Sequence, residues 1–203
     1  MCRILLTSNG FGTEQIKQKF LMLLPKPASA IKAVIITTAS PEKEASKSAV
    51  KAKQDLIEMG VVHVTFFDFE YESPKALGSY DAVFLNGGNP FQLLYWLKKS
   101  GGSEIMNELA QQKTVFVGAS AGAMVLGGSI EVAGFFKPEL NTLKLADFNA
   151  LGLTEKLLFP HYDREDLFPD GIGRTIEQRI KRFELDKNET VVRLKDHEYL
   201  SIN

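Results

Sequence analysis

Short apolar segments recur along this chain, and most are apolar throughout, without alternation with polar residues. Arg3–Thr7 (RILLT), 33–38 (AVIITT), 61–67 (VVHVTFF), 81–85 (DAVFL) and 114–117 (TVFV) are brief and rich in β-branched or aromatic residues. Runs of this kind suit parallel strands covered on both faces. Helical spacings fill the intervals. Behind Thr13, which is placed to cap, Ile16, Phe20, Leu23 and Leu24 form one stripe. Ser40-Pro41 reads as a cap with a first-turn proline, and Ala45, Ala49, Ala52, Leu56 and Met59 follow at helical spacing until Gly60. Asn89-Pro90 opens a third helix carrying Leu93, Leu94 and Leu97, and Ser103 opens a fourth carrying Ile105, Met106 and Leu109. The βαβα alternation predicts an α/β fold, a doubly wound, mostly parallel sheet flanked by helices.

The pattern changes after residue 128. Segments 129–136 (SIEVAGFF) and Leu157–Phe159 read as short strands around a polar, loop-rich stretch. Residues 175–184 read as a helix with Ile176, Ile180 and Phe183 inward, and 190–194 with 198–202 as a closing hairpin turned by Lys195-Asp196-His197. No repeat, low-complexity tract or linker interrupts the chain, so residues 1–203 are read as one domain.

Composition removes several classes of function. Lys and Arg number 24 against 25 Asp and Glu, which gives no basic excess for nucleic acid or an anionic membrane. The longest apolar runs are far short of a membrane span. The opening MCRILLTSNG carries too little charge and too short an apolar run for a signal peptide, which favours a cytoplasmic location. Cys2 is the one cysteine, and no Cys/His cluster has zinc spacing, so neither a disulfide nor a metal site is expected. The imidazoles are His63, His161 and His197.

Segment 114–117 runs straight into Gly118-Ala119-Ser120-Ala121-Gly122, a G-x-S-x-G between a strand and small residues able to begin a helix. That is the arrangement of a nucleophile elbow, in which a sharp turn lifts the serine hydroxyl out of the sheet and small neighbours relieve the crowding. The helix start also aims the Ala121 N–H where an oxyanion would form. A plain small-residue junction or a phosphate-binding turn would use similar residues. A serine near neutral pH needs a base. His63 lies inside an apolar run and reads as a sheet residue, whereas His161 follows an apolar run where a loop begins. His197, in the hairpin turn, is its rival. Asn86-Gly87-Gly88-Asn89-Pro90, at a strand end, lets backbone N–H groups approach a ligand and starts a helix toward the same crevice.

NGGNPFQLL, VGASAGAMVL and FPHYD, in this order, resemble the S51 serine peptidases, the family of dipeptidase E (aspartyl dipeptidase) and cyanophycinase. The likeness covers essentially the whole chain, including RTIEQRIKRF before the closing strands. It implies a class I glutamine amidotransferase-like, flavodoxin-type sandwich, and a Ser–His–acid hydrolase without metal or cofactor that cuts after an aspartyl residue. By that resemblance Ser120 is the nucleophile, His161 the base, and Gly88 and Ala121 the oxyanion donors. Asp196 stands where cyanophycinase-like relatives place a glutamate; it is one methylene shorter, so a water or the backbone would bridge any gap. The alternative acid, on the segment after the nucleophile, is Glu131, with Phe135 near the site expected by that scheme. For a substrate with a free N-terminal aspartate, Asn89 would meet the carboxylate and Asp163, Glu165 or Asp166 the ammonium. The expected partner is a small peptide, and the expected state a monomer or homodimer.

Two rivals stand beside this. An esterase of the α/β-hydrolase type would use Ser120, Asp163 or Asp170, and then His197. A non-catalytic flavodoxin-like protein would hold a small ligand on Gly10-Phe11-Gly12 and Gly87-Gly88, although the dinucleotide fingerprint is incomplete. Glutamine amidotransferase chemistry would place cysteine, not serine, at the elbow.

Overall fold

A computed structural model describes residues 3–203; Cys2 lies outside the described residues. In chain order the elements are β1 (Arg3–Thr7), α1 (Glu14–Leu23), β2 (Lys32–Ile36), α2 (Lys47–Glu58), β3 (His63–Phe67), β4 (Ala82–Leu85), α3 (Pro90–Lys99), α4 (Gly102–Ala110), β5 (Val115–Ala119), α5 (Ala121–Leu126), α6 (Glu131–Phe136), β6 (Leu157–Phe159), α7 (Ile176–Lys187), β7 (Val191–Arg193) and β8 (Tyr199–Ile202). The main sheet runs β3-β2-β4-β5-β1-β8, parallel except at β8, which lies antiparallel to β1. This is an α/β fold with a mixed, mostly parallel sheet between helices.

The continuous apolar runs have the cause inferred from sequence. Neighbouring residues of one strand enter opposite cores: Ile4, Leu6, Val83, Leu85 and Phe116 pack with α3 to α7. Leu5, Phe84, Val115 and Val117 pack with Ile16 and Phe20 of α1 and Ala52 and Leu56 of α2. With side chains covered on both faces, a strand has no polar position to alternate with. Thr13 caps α1 by accepting from Ile16 N–H at 3.3 Å, and Asn89 caps α3 by accepting from Phe91 N–H at 2.9 Å.

Three expectations are corrected. The second helix starts at Lys47, not after Ser40-Pro41, because Ser46 is the residue whose hydroxyl accepts from Ala49 N–H, at 3.3 Å. The fourth opens at Gly102, one residue before Ser103, after Gly101 turns left-handed with φ 77°. Segment 129–136 is a loop entering α6, not a strand. Ser129 accepts from Glu131 N–H at 3.0 Å, and Val132, Ala133 and Phe136 then share one buried face. Its β-branched residues suggest a strand, but the buried positions follow helical spacing.

The chain does turn at Lys195, where Glu198 N–H donates to the Lys195 carbonyl at 2.9 Å, and both flanking strands form. They pair with different neighbours: β8 closes the edge beside β1, while β7 joins β6 in a separate two-stranded parallel sheet. Arg193 ties β7 to α7, reaching Glu184 at 2.6 and 2.9 Å and Glu177 at 3.1 Å. These hydrogen bonds from Arg193 hold the Glu184 and Glu177 carboxyls below their ordinary range, against the opposing push of burial. Carboxylates lowered in the fold stabilise it above their unfolded values, about 4.3, and that contribution is lost as pH falls through the lowered folded values. Arg193→Met is therefore expected to cost about 1–3 kcal/mol near neutral pH. In urea unfolding the gap from wild type should narrow toward about pH 3; an equal gap at both pH values would refute this assignment.

Candidate active site

The carboxyl ends of β1, β2, β4 and β5 open onto one cleft of about 500 Å³, whose walls include Ser8, Ala39, Asn86, Gly88 and Ser120. Ligand crevices of open α/β sheets lie at such strand ends. Ser120 is held there by a demanding backbone. Its φ is 50° and ψ −112°, its N–H donates to the Thr7 carbonyl at 3.0 Å, and α5 begins at the next residue. The glycines around it are forced. A Cβ on Gly118 would lie 2.6 Å from Ala123 Cα, and one on Gly122 would run into the Leu85 carbonyl. These contacts crowd the turn from β5 into α5.

His161 lies two residues beyond β6 and Asp196 three beyond β7, so the parallel β6–β7 pair sets them side by side. Leu194 N–H donates to the Phe159 carbonyl at 2.9 Å and Tyr162 N–H to the Leu194 carbonyl at 3.1 Å, which fixes that register. The result is a continuous chain of polar contacts. His161 Nε2 stands 2.9 Å from Ser120 Oγ, and Nδ1 stands 2.6 Å from Asp196 Oδ1. The shorter aspartate leaves no gap for a water to bridge. Like Ser120, His161 has a left-handed backbone, with φ 58°.

Ser8, just past β1, is a member of this group that the sequence did not point to. Fully buried, it accepts from His161 N–H at 2.7 Å and donates to Asp196 Oδ1 at 2.9 Å. The only signal in the sequence was its place at the end of the first strand, in an unremarkable Ser-Asn-Gly turn. Burial pushes the Asp196 carboxyl up, but the hydrogen bonds from His161 and Ser8, with further help from Arg164 at 3.4 Å, leave it below its ordinary value. It is poised to stay ionised beside the imidazole.

Gly88 and Ala121 both border Ser120, and neither N–H has a protein acceptor among the described residues. Gly88 has φ +140°, and a Cβ there would strike the Ala39 carbonyl, so glycine is required. Asn89 lines the cleft, but its carboxamide is committed: the oxygen caps α3 and the nitrogen donates to the Leu140 carbonyl at 2.8 Å. The acids expected to meet an ammonium are also engaged elsewhere. Asp163 accepts from Asp196 N–H at 3.0 Å, Glu165 from Ile176 N–H at 3.0 Å, and Asp166 pairs with Arg164 at 2.7 Å. The cleft instead carries Glu42 and Lys47, which form no ion pair among the described residues, and Asp55, tied to Lys17 and Lys51 at 3.2 and 2.7 Å.

None of the rival acids or imidazoles hydrogen-bonds to Ser120 or to the His161 ring among the described residues. Glu131 pairs with Lys187 of α7, and Asp170 with Arg174 at 3.1 Å. His197 and His63 are exposed. Phe11, between the two glycines of the first loop, is buried against Phe20 and Phe84 at 5.1 and 5.3 Å between ring centres. Among the described residues no cluster of three or more His, Cys, Asp or Glu is placed to hold a metal ion, and no helix is long and apolar enough to cross a membrane.

Scaffold and site define an α/β protein that presents a serine–imidazole–carboxylate chain at the carboxyl ends of its strands. The model for peptidase family S51 matches residues 4–203, and the chain belongs to that family. It is 34% identical over 113 residues to the peptidase E of Shewanella denitrificans, covering 55% of this chain and 46% of that protein. With the peptidase E of Streptomyces coelicolor it shares 29% over 122 residues, covering 60% and 49%. The matched chain thus spans about half the length of these curated relatives. A crystal structure of a protein assigned as a peptidase E from Listeria monocytogenes has the same fold, with a TM-score of 0.77 at 22% identity over 100% of this chain and 94% of that one.

Proposed function

We propose that this protein is a serine peptidase of the dipeptidase E type that cleaves short peptides through an acyl-enzyme. Family membership accords with a serine-type peptidase acting on small peptides. The observation that carries the finer statement is the unbroken path from Ser120 Oγ through His161 to Asp196, at 2.9 and 2.6 Å.

In this mechanism Ser120 Oγ bonds to the peptide carbonyl carbon as its proton passes to His161 Nε2. Asp196 stabilises the imidazolium and fixes the ring through Nδ1. The carbonyl oxygen takes up negative charge between the Gly88 and Ala121 N–H groups, which have no other partner to give up. The C–N bond breaks as His161 returns the proton to the departing amine. Water then attacks the ester, His161 takes its proton, and the acid leaves with Ser120 restored. Glu42 and Lys47, one charge of each sign in the cleft, suit the free ammonium and carboxylate of a short peptide. The parallel strand order β3-β2-β4-β5-β1 supports the flavodoxin-type, amidotransferase-like name for the scaffold, with β1 in the last place of that order. A cytosolic setting fits the composition.

The test is a serine-directed fluorophosphonate with a panel of dipeptides and short peptides. The protein should be labelled at Ser120 and turn over part of the panel. A protein that binds peptides tightly, with neither labelling nor turnover, would instead be the non-catalytic binder.

A further inference from the structure

A second, smaller recess of about 190 Å³ adjoins the charged cleft at Gly88, Ser120 and His161. Gly88, Ser120, Ala121 and His161 border both the recess and the reacting centre, so an occupant of the recess adjoins the bond being cut. Its lining is largely hydrocarbon, with Met124, Ala133, Phe136, Phe159, Leu167 and Phe168 contributing to it. Phe136, Phe159 and Phe168 pack together, with ring centres 4.4 and 5.0 Å apart in sequence and 5.8 Å between the outer pair.

A carboxylate entering this space would lose water, with the part-exposed Lys137 as the one cation among the lining residues. The buried cation Arg179 is not among the residues that line the recess. Its guanidinium stacks 4.1 Å from the Phe136 ring centre and donates to the carbonyls of Phe168 and Phe136 at 3.0 and 3.4 Å. Arg179 thereby ties together Phe136 and Phe168, two residues of the lining. Lys137 borders the recess, but its ammonium lies 3.8 Å from Glu139 and 5.9 Å from the Phe168 ring centre. Desolvating a carboxylate without a matched donor is costly, whereas an aliphatic or single-ring side chain needs none. Dry cavities of about 150 Å³ with such linings accept a benzene ring.

We propose that this recess receives the substrate side chain beside the scissile bond and selects an uncharged aliphatic or aromatic one, so the enzyme prefers leucine or phenylalanine there over aspartate. This rests on the serine-peptidase function proposed above, and the experiment separates the two. Peptides varied one position at a time on each side of the bond, with Leu, Phe, Ala, Asp and Lys, are assayed for kcat/KM alongside fluorophosphonate labelling. On one side of the bond, Leu or Phe should exceed Ala by roughly tenfold or more, and Asp should fall roughly a hundredfold below Leu. Ala133→Leu, which fills the recess, should erase the advantage of Phe over Ala while labelling by a small fluorophosphonate persists. Leu167→Glu, at the half-open mouth, gives a second variant with little burden on folding and should lower kcat/KM for Leu more than for Ala. Labelling with Asp preferred on the scissile side, with no advantage of Leu or Phe over Ala, or with both variants slowing all substrates equally, would overturn the recess assignment and leave the peptidase standing. Neither labelling nor turnover would remove both.

Discussion

Ser120→Ala should abolish fluorophosphonate labelling and lower kcat by about 10⁶-fold, while the thermal midpoint stays near that of wild type. The hydroxyl is the one oxygen in line with His161 Nε2, at 2.9 Å, and its removal costs no hydrogen bond on which the elbow depends. The turn is held by Ser120 N–H to Thr7 and by the glycine contacts around it, all of which survive the substitution. Companion variants locate the base. His161→Ala should be nearly as inactive as Ser120→Ala, and His197→Ala should keep wild-type turnover because its ring is exposed and outside the polar chain. Loss of activity in His197→Ala with retention in His161→Ala would establish the esterase-type arrangement instead.

Asp196→Asn should lower kcat by about 10⁴-fold with little change in KM. An ionised carboxylate accepts from both Ser8 and His161 Nδ1–H, at 2.9 and 2.6 Å, and so leaves Nε2 free to take the Ser120 proton. A carboxamide can present its NH₂ to Nδ1, which drives the ring proton to Nε2, where it blocks proton transfer. The side chain remains nearly isosteric, so unfolding in urea should change far less than the rate. A Glu131→Gln variant is the natural control, since Glu131 is occupied by Lys187. If it, and not Asp196→Asn, showed the loss in kcat, the acid would be misassigned.

What could be read from sequence follows from how local each signal is. Four of the five parallel strands, β1, β2, β4 and β5, carry burial in four or five consecutive residues, while β3 at the sheet edge is largely uncovered, and G-x-S-x-G confines its steric demand to a single turn; both signals survive as pattern. The helix starts at Thr13 and Asn89 were legible because a cap acts within three residues. The cap at Ser46 was displaced by an equally good cap-and-proline signature at Ser40. Elements β6 and β7 have three residues each, too few to express a period, and their partners lie 34 positions apart, as Leu157 and Val191 do. Nothing local says that Thr190 onward should pair with β6 and not with the strand after the turn. Ser8 was invisible for the same reason: its two partners are 153 and 188 residues away. Asp196 had a likeness to relatives to recommend it, but its contact with His161 depends on the β6–β7 register, which joins segments 34 positions apart.

Two of the three groups in the proton path sit on backbones that L-residues avoid, Ser120 at φ 50° and His161 at φ 58°. Each such conformation costs about 1–3 kcal/mol, a sizeable part of the 5–15 kcal/mol that separates most folded domains from their unfolded chains. Glycine adopts these angles freely, so the molecule would be more robust with glycine at position 120 than with the serine proposed as nucleophile. Selection for heat resistance alone would therefore drift toward an inert protein at position 120. Persistence of serine there under laboratory evolution would reflect a demand for catalysis that outweighs durability.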